Sequence, residues 1–431
     1  MSTSRPSCGL PPPIRSSQSF NRFVGLLVGE NPGHQRMKAS SAGWRPQIRP
    51  HTIGPLRIEP VSRPSQLADF IRVPIILYRD QPNFIAPLNA EVRLRLSPRH
   101  NPYFDHAEVR LWVAYRDSQP VGRISAQVDA LRLEQHRDSV GHMGFLDAID
   151  DREVFAALTA QAERWLMSKG MRRVTGPFNL SINQECGLLV DGFDAPPAIM
   201  TGYSLSYASK RLAELGYRKA KDLLAHTFDL ASPLPPRAQE HIKWAKRFRR
   251  VRLRLGDPRR FDEEALLMRE IFNDAWSRNW GFVSLTEAEM TSLAHDLRPL
   301  IRRELIHFAE IDGETACMLV CLPNLYDAMG DLQGALVPFG WLKLLWRMKV
   351  TGLKSARIPL MGLRRRYHHT AVGFATMVQT LDAARIEMVR CGFRRVDLSW
   401  TLEDNRSMLH ILEEVGAVPY KVYRIFEKQL V

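Results

Sequence analysis

Hydrophobic and polar positions in the last third of the chain follow one another in distinct periods. Ala356-Arg357-Ile358-Pro359-Leu360-Met361 is a short apolar run of strand length. A polar loop, Gly362 to Thr370, comes next. Ala371 to Arg390 then predicts a long helix, with Val372, Ala375, Met377, Val378, Leu381, Ile386 and Val389 striping it near the helical period. Cys391-Gly392 closes it, as glycine does at a helix C-terminus. Arg395 to Trp400 alternates as a strand. Asp404-Asn405 caps a second helix that Gly416 ends, and Tyr420 to Glu427 reads as a last strand.

The same order recurs earlier in the chain. Ala68 to Tyr78 reads as a helix. Val109–Tyr115 and Val121–Val128 alternate around Asp117-Ser118-Gln119-Pro120, a hairpin signal. His142 to Leu146 is a short strand, Asp150-Asp151 caps a helix from Arg152 to Ser168, and Arg173 to Pro177 is a strand again. The matching hairpin of the second half is Leu305–Ile311 with Thr315–Leu322, turning at Asp312-Gly313. Two similar α/β domains in tandem are therefore expected, each a mixed twisted sheet flanked by helices. Their expected spans are residues 53–235 and 263–431, joined by a basic linker or helix over 236–262. Residues 1–50 are rich in Ser, Pro, Gly and Arg, with Glu30 the only acid. That composition predicts disorder, and Met37 is an alternative start.

Charge narrows the partners. The chain has 431 residues, a net charge of +14 and 45% hydrophobic residues, enough for real cores and a preference for anionic ligands. No stretch approaches the ~20 apolar residues of a spanning helix. Five cysteines make neither a disulfide framework nor a zinc site. A reducing cytoplasm is the expected compartment, and neither a metal nor a nucleic-acid partner is expected.

The loop before the long helix carries candidate chemistry. A helix N-terminus presents unpaired N–H groups and partial positive charge, so anions settle there. Arg364, Arg365, Arg366, His368 and His369 surround this one. A phosphate or pyrophosphate is the ligand implied, and a solvated basic turn is the plainer alternative. The equivalent helix start in the first half carries Asp150, Asp151 and Glu153, which repel phosphate. An anion site is thus expected in the second half and not in the first.

At these residues the chain resembles the GNAT superfamily of acyl-CoA-dependent N-acyltransferases. Arg366-Tyr367-His368-His369-Thr370-Ala371 matches the family's phosphate loop, Gln/Arg-x-x-Gly-x-Gly/Ala, at Arg366 and Ala371. His369 stands where the first glycine belongs. Asn405 and Gly416-Ala417 resemble the family's later Asn-containing helix, while Leu412 replaces the tyrosine that many members use as general acid. The resemblance implies acyl-CoA held by Leu360, Met361, Arg364 to Arg366, His368 to Ala371, Gly373 and Asn405. It also implies transfer to an amine. The tandem arrangement further resembles a bacterial branch that includes acyl-CoA-dependent ceramide synthases, which implies a long-chain, sphingoid-like amine acceptor.

Other candidates each have a plainer reading. Asn179, Asn183 and Glu185 follow a Gly-Pro turn after a strand, where α/β sheets place ligands; the same residues suit a structural turn. Asn273, Trp276, Asn279, Trp280 and Phe282 suit an aromatic pocket wall or simple core. His142 and Glu185 compete as general base, and a lone histidine is often structural. Gly340 to Lys349 is basic and carries Trp341 and Trp346. Core packing accounts for it, and peripheral contact with an anionic membrane is the alternative. Two rival functions stand beside N-acyl transfer. One is a Mg²⁺-dependent nucleotide phosphohydrolase using Glu263, Glu270 and Asp274; the other is a ligand-binding module without catalysis.

Overall fold

The computed structural model describes residues 54–430. The expectation of disorder over residues 1–50 lies outside them. Thirteen strands form one sheet. In chain order they are β1 (Arg57–Pro60), β2 (Ala107–Arg116), β3 (Gln119–Asp129), β4 (Val140–Ala148), β5 (Arg173–Gly176), β6 (Leu188–Asp191), β7 (Arg218–Asp229), β8 (Val251–Leu255), β9 (Ile306–Ile311), β10 (Glu314–Pro323), β11 (Ser355–Leu363), β12 (Arg395–Leu402) and β13 (Val418–Gln429). Helices cover the sheet: α1 (Pro64–Leu77), α2 (Asn89–Arg95), α3 (Ala130–His136), α4 (Arg152–Ser168), α5 (Tyr207–Glu214), α6 (Pro236–Ala245), α7 (Phe261–Ala275), α8 (Glu287–Leu297), α9 (Gly340–Trp346), α10 (Ala371–Arg390) and α11 (Arg406–Glu414).

Local chemistry explains most of these elements. Asp117 and Ser118 sit at φ 46° and 65°, and Asp312 and Gly313 at 53° and 87°. Two successive positive φ values make the turn whose twist suits a tight hairpin. Asp151 caps α4 by accepting from the Glu153 N–H, and Asn405 caps α11 by accepting from Met408. The long helix α10 spans the predicted residues, but its buried face differs from the apolar stripe. Thr376 and Thr380 are buried, each donating to the carbonyl four residues earlier, while Val389 is exposed. Back-bonded threonines bury without an orphan hydroxyl.

The sheet runs β1-β2-β3-β4-β5-β13-β7-β12-β11-β10-β9-β8, with β6 also on β13. Two neighbour pairs are parallel, β4 with β5 and β11 with β12. Each half thus has one parallel fork within antiparallel surroundings. The halves meet in the middle through exchanged strands. The final strand β13 lies against β5 of the first half, and β7, from the end of the first half, lies against β12 of the second. β7 and β13 pair with each other from Val418↔Thr227 to Glu427↔Arg218. The two expected sheets are therefore one. The stretch read as a basic linker or helix, 236–262, holds α6 and the edge strand β8, paired from Val251↔Ile311 to Leu255↔His307.

Candidate active site

Both forks are built alike. β11 and β12 pair only at Ser355↔Arg395, Ala356↔Val396 and Arg357↔Asp397, and β4 and β5 only at Val140↔Arg173, Gly141↔Val174 and His142↔Thr175. Beyond these pairs the strands part. Each fork also has a bulge on its first strand. Cys321 of β10 faces both Ile358 and Pro359, since Val320 pairs with Leu360 and Leu322 with Arg357. Proline tolerates this place because it has no N–H to give a ladder. Ile124 faces both Phe145 and Leu146 in the same way, and Phe145 has φ 47°. A bulge re-aims backbone groups away from the ladder.

The first fork is filled by the chain itself. A short pair of strands, Phe178–Asn179 and Glu185–Cys186, folds into it. The Phe178 carbonyl lies so close to Gly144 that a Cβ there would stand 1.7 Å from it. The bulge N–H of Phe145 donates to Asn179 Oδ1 at 2.7 Å. What remains is a cavity of about 70 Å³ lined by Arg95, Arg123, Asp147, Asn179, Glu185 and Tyr326, among others. Arg95 Nη1 lies 2.9 Å from Glu185 Oε1, and Asn179 Nδ2 donates to Glu185 Oε2 at 2.9 Å. Burial alone would raise the Glu185 carboxyl, but Arg95 and Asn179 hold it below its ordinary value. Arg123 and Asp147 form a second buried pair at 2.7 Å, with Tyr78 donating to Asp147.

The second fork is open. Its cavity of about 230 Å³ is lined by the diverging parts of β11 and β12, by Phe272, Trp276, Trp280 and Phe282, and by Asn183 and Gln184 from the first half. Asn279, Ser399, Thr401 and Asn405 supply further polar wall; among the described residues no carboxylate lines it. A smaller apolar cavity of about 70 Å³ lies between α6, α10 and α11. Ile358, Leu381, Leu398 and Leu412 line both spaces. The fork is held at its base by Arg357, 4% exposed, whose Nε lies 3.2 Å from Asp397 and donates to Ser399 Oγ at 2.8 Å. Tyr420 donates to the same Asp397.

The basic loop leads from β11 into α10. Arg364 Nε donates to the Thr315 carbonyl, and its Nη2 lies 3.4 Å from Glu270. The Arg365 N–H donates to Asp274 at 2.7 Å, Arg366 pairs with Glu314, and His368 Nε2 lies 2.8 Å from the Leu363 carbonyl. Thr370 caps α10 by accepting from Gly373 at 3.0 Å. A Cβ at Gly373 would stand 2.0 Å from the Tyr367 carbonyl, so the loop packs on this glycine. His369 has φ 58°. The backbone at this position thus keeps a left-handed conformation that glycine adopts freely, although the residue is histidine.

The remaining predicted residues are distributed as follows. Leu360, Met361, Asn405, Asn183, Trp276, Asn279, Trp280 and Phe282 border the larger cavity; Asn179 and Glu185 border the smaller charged one. Asn273 ties down the Leu285 backbone through two bonds, at 2.9 and 3.0 Å. His142 borders neither cavity. It packs on Phe178, contacts Thr175 Oγ1 at 2.7 Å and is pushed down to about 3, chiefly by burial. Glu263, Glu270 and Asp274 meet Arg260, Arg364 and the Arg365 backbone rather than one another. Sequence reading missed Arg357 and Arg95. An arginine inside the apolar run 356–361 was the available signal, because a charge there must be buried with a partner.

No protein-family model matches the chain. The bacterial ceramide synthase of Caulobacter vibrioides is 46% identical over 380 residues, 88% of this chain and 99% of that protein. Protein YghO of Escherichia coli is 43% identical over 370 residues, 85% of this chain and 93% of that one. Among solved structures, a tandem GNAT protein from the clavulanic acid biosynthesis pathway superposes with a TM-score of 0.53 at 14% identity. It covers 88% of this chain and 99% of its own.

Proposed function

The chain belongs to the family of the bacterial ceramide synthase, and from that premise we propose that it is an acyl-CoA-dependent N-acyltransferase whose acceptor is a long-chain lipid amine. One observation carries the reading: of two equivalent forks, the second opens onto the larger cavity, about 230 Å³ and walled by Phe272, Trp276, Trp280 and Phe282, while the first is occupied by Phe178 and Asn179 and leaves about 70 Å³. The acyl-CoA pantetheine would lie between the parted strands β11 and β12, with its pyrophosphate at the start of α10 near Arg364 to Ala371. The Ile358 N–H at the bulge, Pro359 having none to give, would polarise the thioester carbonyl, an oxyanion-type role. Asn183, Asn279 and Thr401 would orient the amine.

In the reaction the amine nitrogen bonds to the thioester carbonyl carbon, the carbon–sulfur bond breaks with its electron pair on sulfur, and the proton lost by the nitrogen passes through solvent to the CoA thiolate. CoA leaves as thiolate. Thiols ionise at about 8.5, so the absence of a tyrosine at Leu412 does not forbid departure. Supporting the lipid acceptor is the wall itself, dominated by Phe272, Trp276, Trp280, Phe282 and the leucines shared with the apolar cavity.

The experiment is thiol release from one acyl-CoA with amines that differ only in tail length. Each buried methylene is worth about 0.8 kcal/mol, roughly a fourfold step in kcat/KM. The expected series climbs and then levels when the cavity is full. A flat series would sink the lipid acceptor while leaving N-acyl transfer standing. CoA binding with no turnover of any amine would replace the enzyme by a binding module.

A further inference from the structure

We infer that the segment Val337–Val350 is a membrane-docking surface, and that its partner is an anionic lipid bilayer. Nine large apolar side chains are exposed among the described residues, and five belong to this segment: Val337 (65% exposed), Phe339 (68%), Leu342 (47%), Trp346 (63%) and Val350 (60%). Phe339, Leu342, Trp346 and Val350 recur at three- and four-residue intervals, so they share one face of α9 and its wide-turn continuation Arg347–Thr351. The opposite face is apolar too, and Trp341, Leu344 and Met348 pack into the core beneath it. A helix apolar on both faces has a second face to cover. These helical residues, Gly340 to Thr351, extend about 18 Å at the α-helical rise, well short of the ~30 Å hydrocarbon thickness. The segment can lie in a membrane interface but not span one.

Charge selects the occupant. Residues 337–354 contain Lys343, Arg347, Lys349 and Lys354 and no acid. The nearby acid Asp331 takes Lys343 at 3.3 Å and Arg347, and Asp327 accepts from the Lys354 N–H at 2.8 Å. An apolar row flanked by lysines matches the boundary between anionic headgroups and acyl chains. Position gives it a use, which rests on the lipid-acceptor reading above. The inner face of the segment shares its core with Met200 and Leu297, and both also line the 230 Å³ cavity. The segment and the acceptor cavity thus border one hydrophobic cluster.

The test uses the full chain, vesicles of phosphatidylglycerol or of phosphatidylcholine, and the double variant Phe339→Glu/Trp346→Glu. The wild type should sediment with phosphatidylglycerol vesicles, less with phosphatidylcholine, and less again as salt rises. The variant should lose at least tenfold in partitioning. Its turnover of a soluble short-chain amine should stay unchanged while turnover of a vesicle-borne long-chain amine falls. If glutamates impair folding by circular dichroism, Phe339→Ser/Trp346→Ser serves instead. A wild type that ignores anionic vesicles, or a folded variant that binds them equally well, overturns the proposal. So does light scattering that shows a wild-type dimer broken by the variant without lipid binding, since the face would then cover a second copy. Vesicle binding lost in the variant, with neither amine acylated by the wild type, would leave the surface standing and remove the proposed reaction.

Discussion

His369 shows how a side chain can obscure a backbone geometry. The phosphate-loop pattern asks for glycine there, and glycine is absent, yet the residue sits at φ 58°. Histidine tolerates this region better than most residues, and β-branched side chains do not. Left-handed strain in a non-glycine residue costs of order 1–3 kcal/mol, and glycine repays that relief with unfolded-state entropy of about 0.5–1 kcal/mol. His369→Gly should therefore raise unfolding free energy by about 0–2.5 kcal/mol, whereas His369→Val should lower it by roughly 1–3 kcal/mol. Urea denaturation of both checks this, and a valine variant as stable as wild type would mean the loop can adopt another conformation. Asn179 makes the complementary point. Its side chain takes the bulge N–H of Phe145 at 2.7 Å, so that N–H is already bonded within the chain. The motif around Asn179 was visible as a polar turn, but which N–H it faces depends on β4, far away in sequence.

Among elements, the fork of β11 and β12 is fastened by charge. Arg357 and Asp397 are both buried, and each has more than one partner. Removing one member of a buried pair strands the other, a loss of about 3–5 kcal/mol. Arg357→Met should show it in chemical denaturation, and Arg357→Met/Asp397→Asn should recover part of the loss. A single variant losing under about 1 kcal/mol would mean the pair does not hold the fork. A second fastening joins the halves. His106 Nδ1 lies 3.0 Å from Asp129, and its Nε2 lies 3.4 Å from Glu289 at the start of α8. The Asp129 carboxylate and, after it, that of Glu289 raise the imidazole from 6.5 to about 10, against burial. A proton held more tightly when folded stabilises fully below the unfolded value of 6.5, and the benefit is lost as pH rises through about 10. The stability gap between wild type and His106→Gln should accordingly be widest near pH 6 and close by pH 10. A gap constant across that window would show that His106 is not charged in the folded chain.

For the whole molecule, exchange of β7 and β13 makes the halves interdependent. β5 of the first half is flanked on one side by β13, a strand from the other end of the chain, and β12 is flanked by β7. A fragment holding residues 54–232 would leave one edge of β5 and both edges of β7 unpaired, an aggregation template rather than a finished sheet. Expressed alone, neither 54–232 nor 233–431 should give a cooperative unfolding transition; mixed after joint refolding, they should give one. A sharp calorimetric transition from fragment 54–232 by itself would refute the interdependence.

Periodicity and turn chemistry determined much of this protein unaided. The hairpins at Asp117-Ser118 and Asp312-Gly313, the capped helix from Arg152 to Ser168 and the long helix from Ala371 to Arg390 rest on contacts within a few residues, so they were legible locally. The open tandem repetition and the basic start of α10 were legible for the same reason. The strand Arg218–Asp229 was not, because its pattern is half-buried on both faces and says nothing of its neighbours. Which strands pair at the centre, which fork is filled and which opens, and why Arg357 and Glu185 are charged inside the fold were decided only by tertiary structure. Each depends on partners a hundred or more residues apart or on neighbouring strands held in place by them. Local propensity cannot encode a partner whose distance is set by the closure of the whole sheet.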